Sequence, residues 1–225
     1  MSAKRLWDAV LGLVYPRRAE CMGCGSRVGI PRDWLCETCR QALAARWVGA
    51  GRPPEGGWFD GAAYGYYYGG PASGLVRSLK YRGVTRLSPL MARSMAQACG
   101  FLGPIGADCL APVPMHSKRL RQRGFNHAEL LARDAGERLG LPVVNALERI
   151  RDTRQQARLS GEDRRHNMDG AFALSADVEG RRIVLVDDVC TTGATANACA
   201  RVLREGGAEA VYLLCFAVAG KEDGE

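Results

Sequence analysis

Ile183-Val184-Leu185-Val186-Asp187-Asp188-Val189-Cys190-Thr191-Thr192-Gly193-Ala194-Thr195 is the stretch that decides the fold. Its first four residues are apolar and follow Arg181-Arg182, so they read as a strand buried on both faces, the habit of parallel sheets. Ala196 to Glu205 reads as a helix ended by Gly206-Gly207, and Ala210 to Val218 as the next strand. Strand, helix, strand in that order implies a right-handed crossover between parallel neighbours. The intervening loop then stands at the carboxyl end of a buried strand, where open α/β sheets hold their ligands.

The residue types in the loop name the ligand's chemistry. Small residues around Gly193 and Ala194 let backbone amides approach an anion, and Thr191, Thr192 and Thr195 add hydroxyl donors. The following helix N-terminus also favours negative charge. Asp187 and Asp188 would repel a phosphate, unless they accept hydrogen bonds from vicinal hydroxyls or hold the waters of a magnesium ion. A phosphorylated ribose offers hydroxyls and phosphate together. Asp187 and Asp188 are therefore the candidate catalytic acids, with Thr191, Thr192, Gly193, Ala194 and Thr195 as candidate substrate contacts.

Working outward, Cys109 to Pro114 reads as a second buried strand that breaks into a basic loop, Met115 to Phe125, with Lys118, Arg119, Arg121 and Arg123. Asn126 is a good N-cap for a helix whose apolar face is Leu130, Leu131, Ala135 and Leu139 and which Gly140 can end. Val143-Val144 begins a short strand. Helical spacing covers Ser73 to Tyr81 and Pro89 to Cys99, and Trp58 to Tyr68 reads as a hairpin or pair of strands. Gly49 to Gly57, with Pro53 and Pro54, reads as a linker. Arg149 to Phe172 is polar, rich in arginine and without clean periodicity, which is how a mobile active-site lid reads.

The chain holds nine cysteines. Cys21-Met-Gly-Cys24 and Cys36-Glu-Thr-Cys39 are two C-x-x-C pairs, and that spacing lets the thiolates of two tight turns surround one tetrahedral ion. The reading is a closed, structural zinc site, with a redox pair or unligated thiols as the alternatives; disulfides would need an oxidising compartment. Cys99, Cys109, Cys190, Cys199 and Cys215 read as small buried hydrophobes, with redox sensing as the alternative for Cys190 because of its place in the loop. His116, His127 and His166 lack a metal-like grouping and read as surface or loop residues.

The net charge of +7 comes almost wholly from arginine, whose rigid fork suits phosphate. It admits nucleotides, nucleic acid or acidic membranes as partners without choosing among them. Residues 3 to 14 have the spacing of a short amphipathic helix, Asp8 interrupts any targeting segment, and no run approaches a membrane span. A cytoplasmic protein is expected.

The run from Ile183 to Thr195 resembles the phosphoribosyl pyrophosphate signature of type I phosphoribosyltransferases. Pro112 to Asn126 and Arg149 to Phe172 resemble one branch of that superfamily, the ComF competence-protein family, and with the cysteine pairs the resemblance covers nearly the whole chain. It implies an α/β fold: a mostly parallel sheet flanked by helices, with a small N-terminal four-cysteine zinc ribbon. The division expected is 1–50 for helix and ribbon and 58–225 for the phosphoribosyltransferase-like domain. It implies that Asp187 and Asp188 bind the ribose hydroxyls, that Thr191 to Thr195 wrap the 5-phosphate, and that Lys118, Arg119 and Arg123 meet the pyrophosphate. Arg149, Thr153, Gln156, Arg164, Asn167 and Phe172 match recurring family positions, which puts Gln156 and Arg164 over the ligand. Lys80-Tyr81-Arg82-Gly83 matches a further pattern that would line the hood. Two functions stay open: transfer of a phosphoribosyl group to an unknown acceptor with Mg2+ and release of pyrophosphate, or a non-enzymatic accessory of DNA uptake that binds single-stranded DNA or senses the ligand.

Overall fold

The computed structural model describes residues 20–27, 34–151 and 170–220; the helix expected over 3–14 and most of the expected lid, with Gln156, Arg164 and His166, lie outside them. From the N-terminus, helix α1 (Glu37–Ala44) leads into strand β1 (Trp47–Gly51), which returns as β2 (Gly61–Tyr67). Helices α2 (Gly70–Arg82) and α3 (Ser88–Cys99) follow, then β3 (Cys109–Pro112), the short α4 (Ser117–Arg123) and α5 (His127–Leu139). The remainder is β4 (Leu147–Arg149), β5 (Phe172–Leu174), β6 (Arg182–Cys190), α6 (Ala194–Glu205) and β7 (Ala210–Val218).

Five strands form one sheet in the order β1-β2-β7-β6-β3. Its pairings are parallel except for the antiparallel edge β1–β2, so the sheet is the mostly parallel one that the apolar runs predict. Side chains alternate across a strand with a period of two. Val184 and Val186, with Leu214 and Phe216, therefore pack against Leu75 and Leu79 of α2, Met91 and Met95 of α3, and Leu131 of α5. Ile183 and Leu185, with Leu213 and Cys215, pack against Cys199 and Leu203 of α6. The same alternation carried past Val186 gives Asp187 to the α6 side and Asp188 to the α2–α5 side.

Several elements depart from the pattern read in the sequence. α2 begins earlier than expected because Pro71 sits in its first turn, where a missing N–H costs nothing, and it stops at Gly83, whose φ is 63°. The first hairpin strand is β1, which runs into the first three residues of the stretch that reads as linker, since Gly49 and Gly51 hide its alternation. The boundary drawn at residue 50 thus falls within an edge strand of the main sheet. The basic loop contains α4, started by His116, whose Nδ1 accepts from the Lys118 amide at 3.3 Å. Val143 makes only a single parallel bridge with Leu110. β4 and β5 form a separate antiparallel ribbon pairing Arg149 with Phe172, so the two ends of the lid segment lie side by side.

Candidate functional site

A cleft of about 300 Å³ opens at the carboxyl end of β6, lined by Asp187, Asp188, Thr191 and Thr195 on one side and by residues of α2, α4 and α5 on the others. The alternation of β6 decides what each acid meets. Asp188 turns toward α2 and α5 and is almost wholly buried: Lys80 Nζ lies 2.7 Å from Asp188 Oδ2, with only 2% of the Asp188 side chain exposed. Burial by itself would raise this carboxyl, but the Lys80 ammonium outweighs it and holds Asp188 below its ordinary value. His127 Nε2 stands 3.6 Å from the same oxygen, too far for a hydrogen bond.

Asp187 is half-buried and its Oδ1 accepts from the Asp188 amide at 2.8 Å. Burial, and then the charge of Asp188, push its carboxyl up to about 8. Burial and the neighbouring carboxylate thus favour the protonated form of Asp187, whereas Lys80 favours the ionised form of Asp188. A half-buried acid at that value can accept from a hydroxyl when ionised or donate to one when protonated.

His127 is buried, contrary to its reading as a surface histidine, and burial holds its imidazole at about 4, neutral at physiological pH. It precedes Leu131 by one helical turn and so belongs to the apolar face of α5, a spacing that was available in the sequence. Together with Asp187 and Asp188 it offers three ligand atoms within 4.8 Å of one another.

The loop beyond β6 lines a second, smaller cleft of about 50 Å³, where Thr192, Gly193 and Ala194 join Asp187, Thr191 and Thr195. Gly193 has a φ of 74°, and a Cβ there would come within 2.3 Å of Pro54. Asn197 Nδ2 donates to the Glu55 carbonyl at 2.7 Å, so residues 54 and 55 of the stretch read as linker cover the start of α6. Cys190 is buried beneath this loop. Its thiol is pushed up to about 11 by burial and then by Asp187, which removes the thiolate that redox sensing would need.

On the opposite wall stand Arg119 and Arg123 from α4, with Arg149 from β4. The Arg123 guanidinium lies 5.1 Å from the centre of the Tyr81 ring. Lys118 stands outside the lining of this cleft. Tyr68, Arg77, Lys80 and Tyr81 complete it from the side of α2; of these, composition and periodicity pointed to none, and only the Lys80-Tyr81 pattern hinted at the wall.

Away from the cleft, Cys21, Cys24, Cys36 and Cys39 bring their sulfurs within 4.8 Å of one another. Cys24 Sγ and Cys36 Sγ are 3.9 Å apart, against about 3.8 Å for two sulfurs on a tetrahedral zinc ion with bonds of about 2.3 Å. The Cys36 amide donates to Cys21 Sγ at 3.2 Å, and the Ser26 hydroxyl beside Cys24 pulls its thiol down to about 6. Cys39 is raised by burial and by the neighbouring thiols, a crowding that a bound cation relieves. This cluster could hold a metal ion, and four sulfurs gathered within 4.8 Å of one another fit zinc in a closed, non-catalytic site.

The strand order, the acid pair and the T-T-G-x-T loop define a class, and residues 121–225 match the phosphoribosyl transferase domain family. The chain is 35% identical over 208 residues to the DNA utilization protein YhgH of Salmonella typhi, covering 90% of this chain and 86% of that one. It is 29% identical over 220 residues to competence protein F of Haemophilus influenzae, covering 86% and 94% respectively. To competence protein ComFC of Bacillus subtilis it is 30% identical over 143 residues, 63% of this chain and 57% of the relative. Among solved structures, a purine phosphoribosyltransferase of Pyrococcus horikoshii overlaps 70% of this chain and 77% of its own at 16% identity and a TM-score of 0.36. The chain belongs to the ComF family of competence and DNA-utilization proteins. No helix among the described residues is long and apolar enough to cross a membrane.

Proposed function

We propose that the cleft binds phosphoribosyl pyrophosphate or a closely related ribose phosphate. The observation that carries this reading is the gathering of a loop of small hydroxylated residues, two acids and Arg119 with Arg123 around two clefts that share Asp187, Thr191 and Thr195. A ligand with a phosphate, a diol and a second anionic group matches it. Thr191 to Thr195 take the 5-phosphate, Asp187 and the ion-paired Asp188 meet the hydroxyls, and the two arginines meet the pyrophosphate. By resemblance, Gln156 and Arg164 cover the ligand from the lid segment.

The protein itself offers a poor magnesium cage. Mg2+ prefers an octahedron of oxygens, whereas here Lys80 already holds Asp188 and the third donor is an imidazole. Magnesium enters instead as part of the substrate, on the oxygens of the pyrophosphate. If the protein is an enzyme, the bond from ribosyl C1 to the pyrophosphate oxygen breaks with its electron pair leaving on pyrophosphate. A bond from C1 to the acceptor forms through an oxocarbenium-like transition state, and the acceptor's proton passes to solvent. Arg119 and Arg123 stabilise the leaving charge, while Asp187 and Asp188 fix the sugar. Incubation with the magnesium complex, candidate bases and a pyrophosphate assay tests it: base-dependent pyrophosphate supports transfer, and binding without release supports a sensor.

The names of the relatives, competence and DNA utilization, favour a second reading: a cytoplasmic accessory of DNA uptake that binds single strands. The charge of +7 supports it. Its mark would be a DNA affinity that falls steeply with salt, with a log–log slope of about −0.7 per phosphate contacted.

A further inference from the structure

α2 joins two sites that nothing in the local sequence connects. Gly74, Ser78 and Arg82 repeat every four residues and so form one stripe along the helix. All three meet the first cysteine turn. A Cβ on Gly74 would come within 2.1 Å of the Gly23 carbonyl oxygen, Ser78 Oγ donates to the Met22 carbonyl at 3.4 Å, and Arg82 Nη2 donates to Glu20 Oε2 at 3.0 Å. Cys21 and Cys39 are buried in the same core cluster as Leu75 and Leu79. On another face of the helix, Val76, Arg77 and Lys80 line the cleft. Among the described residues the Lys80 ammonium is the cation that pairs with Asp188, since His127 lies at 3.6 Å and is neutral at physiological pH, and the His127 Nδ1 has no hydrogen-bond partner.

We infer that Lys80 is a positioning residue of the cleft, and that the metal-bound cysteine knuckle, by bracing α2, keeps its ammonium on Asp188. The inference rests on the reading that the cleft binds phosphoribosyl pyrophosphate and that the four thiols hold zinc. Asp188 is fixed in the central sheet, whereas Lys80 arrives on a helix whose outer stripe rests on a turn with little apolar mass of its own. Loss of the ion frees that turn, the backbone contact at Gly74 no longer sets the depth of α2, and Lys80 withdraws. An unpaired buried Asp188 then presents the sugar hydroxyls with a carboxylate in the wrong place. The coupling this bracing produces is reciprocal, so ligand in the cleft tightens the hold on the metal by the same factor by which the metal tightens the hold on the ligand.

Two measurements on the full chain judge this. In lysine acylation footprinting read by mass spectrometry, Lys80 should be protected in the zinc-loaded protein and react about tenfold faster, relative to Lys118, once a chelator has removed the metal, within the usual range for coupled sites. An unchanged ratio overturns the bracing whether or not any ligand binds. In calorimetry with magnesium phosphoribosyl pyrophosphate, Lys80→Met should weaken binding about tenfold in the folded protein with zinc content unchanged and the melting temperature lowered by the unpaired Asp188, and Lys80→Arg should recover most of the affinity. A Lys80→Met protein that binds as tightly as wild type overturns the positioning role. Failure of the wild-type protein to bind refutes the ligand reading instead, and the footprint still decides the bracing.

Discussion

The two walls of the cleft are built in opposite ways. The wall from Asp187 to Thr195 is one unbroken stretch, in which a buried strand ends, two acids follow and a glycine-started helix receives the loop. The facing wall is assembled: α4 supplies Arg119 and Arg123, α5 supplies His127, and α2 supplies Lys80 while leaning on the cysteine turn. A site written in consecutive residues tolerates changes elsewhere in the chain. A site written across three elements inherits the stability of whatever holds them.

Cys36→Ser attacks the assembled wall at its support and should have the largest effect. It removes one of the four donors, and a site saturated about a thousandfold over its dissociation constant contributes about 4 kcal/mol. Metal analysis and thermal unfolding should show lost zinc and a clear fall in Tm, with weakened phosphoribosyl pyrophosphate binding in the fraction still folded. Full affinity in that fraction would mean that the walls are independent. Gly74→Ala drives a methyl into the Gly23 carbonyl and should destabilise the protein by about 1–3 kcal/mol, as overpacking does. A neutral result in chemical denaturation would show that the turn can move aside freely.

Arg119→Ala and Arg123→Ala should each weaken ligand binding roughly tenfold, about 1.4 kcal/mol, with little change in Tm, because both line the cleft. The smallest effect concerns the local wall by itself. An acid whose pKa is raised on folding holds its proton more tightly in the folded state, so stability is lost as pH climbs from the ordinary value of 3.8 through about 8. Asp187→Asn should therefore flatten that fall and leave the free protein more stable than wild type at pH 8 to 9, measured by denaturant unfolding.

The same contrast explains what was legible in the sequence. The parallel sheet, the T-T-G-x-T loop and the four-cysteine cluster each rest on short-range patterns: an apolar run, a string of small hydroxylated residues, two C-x-x-C spacings. The opposed environments of Asp187 and Asp188 follow from strand alternation, but their partners do not, because Lys80 and His127 come from distant helices. His127 lay on the apolar stripe of α5, and an imidazole on such a stripe is silent about what it faces. β1 was hidden because two of its five residues are glycine, which erases the alternation that marks a strand. The cover over Gly193 came from a stretch rich in proline and glycine, a composition that predicts a linker and carries no information about where it rests.

Titration calorimetry of magnesium phosphoribosyl pyrophosphate into wild-type protein and into the Asp187→Asn, Asp188→Asn double variant, each checked for folding by its melting curve, tests the central claim most directly. Saturable binding to the wild type, weakened at least tenfold in the folded double variant, is the predicted result. No binding to the wild type, or equal affinity in the two proteins, would contradict the assignment of the cleft.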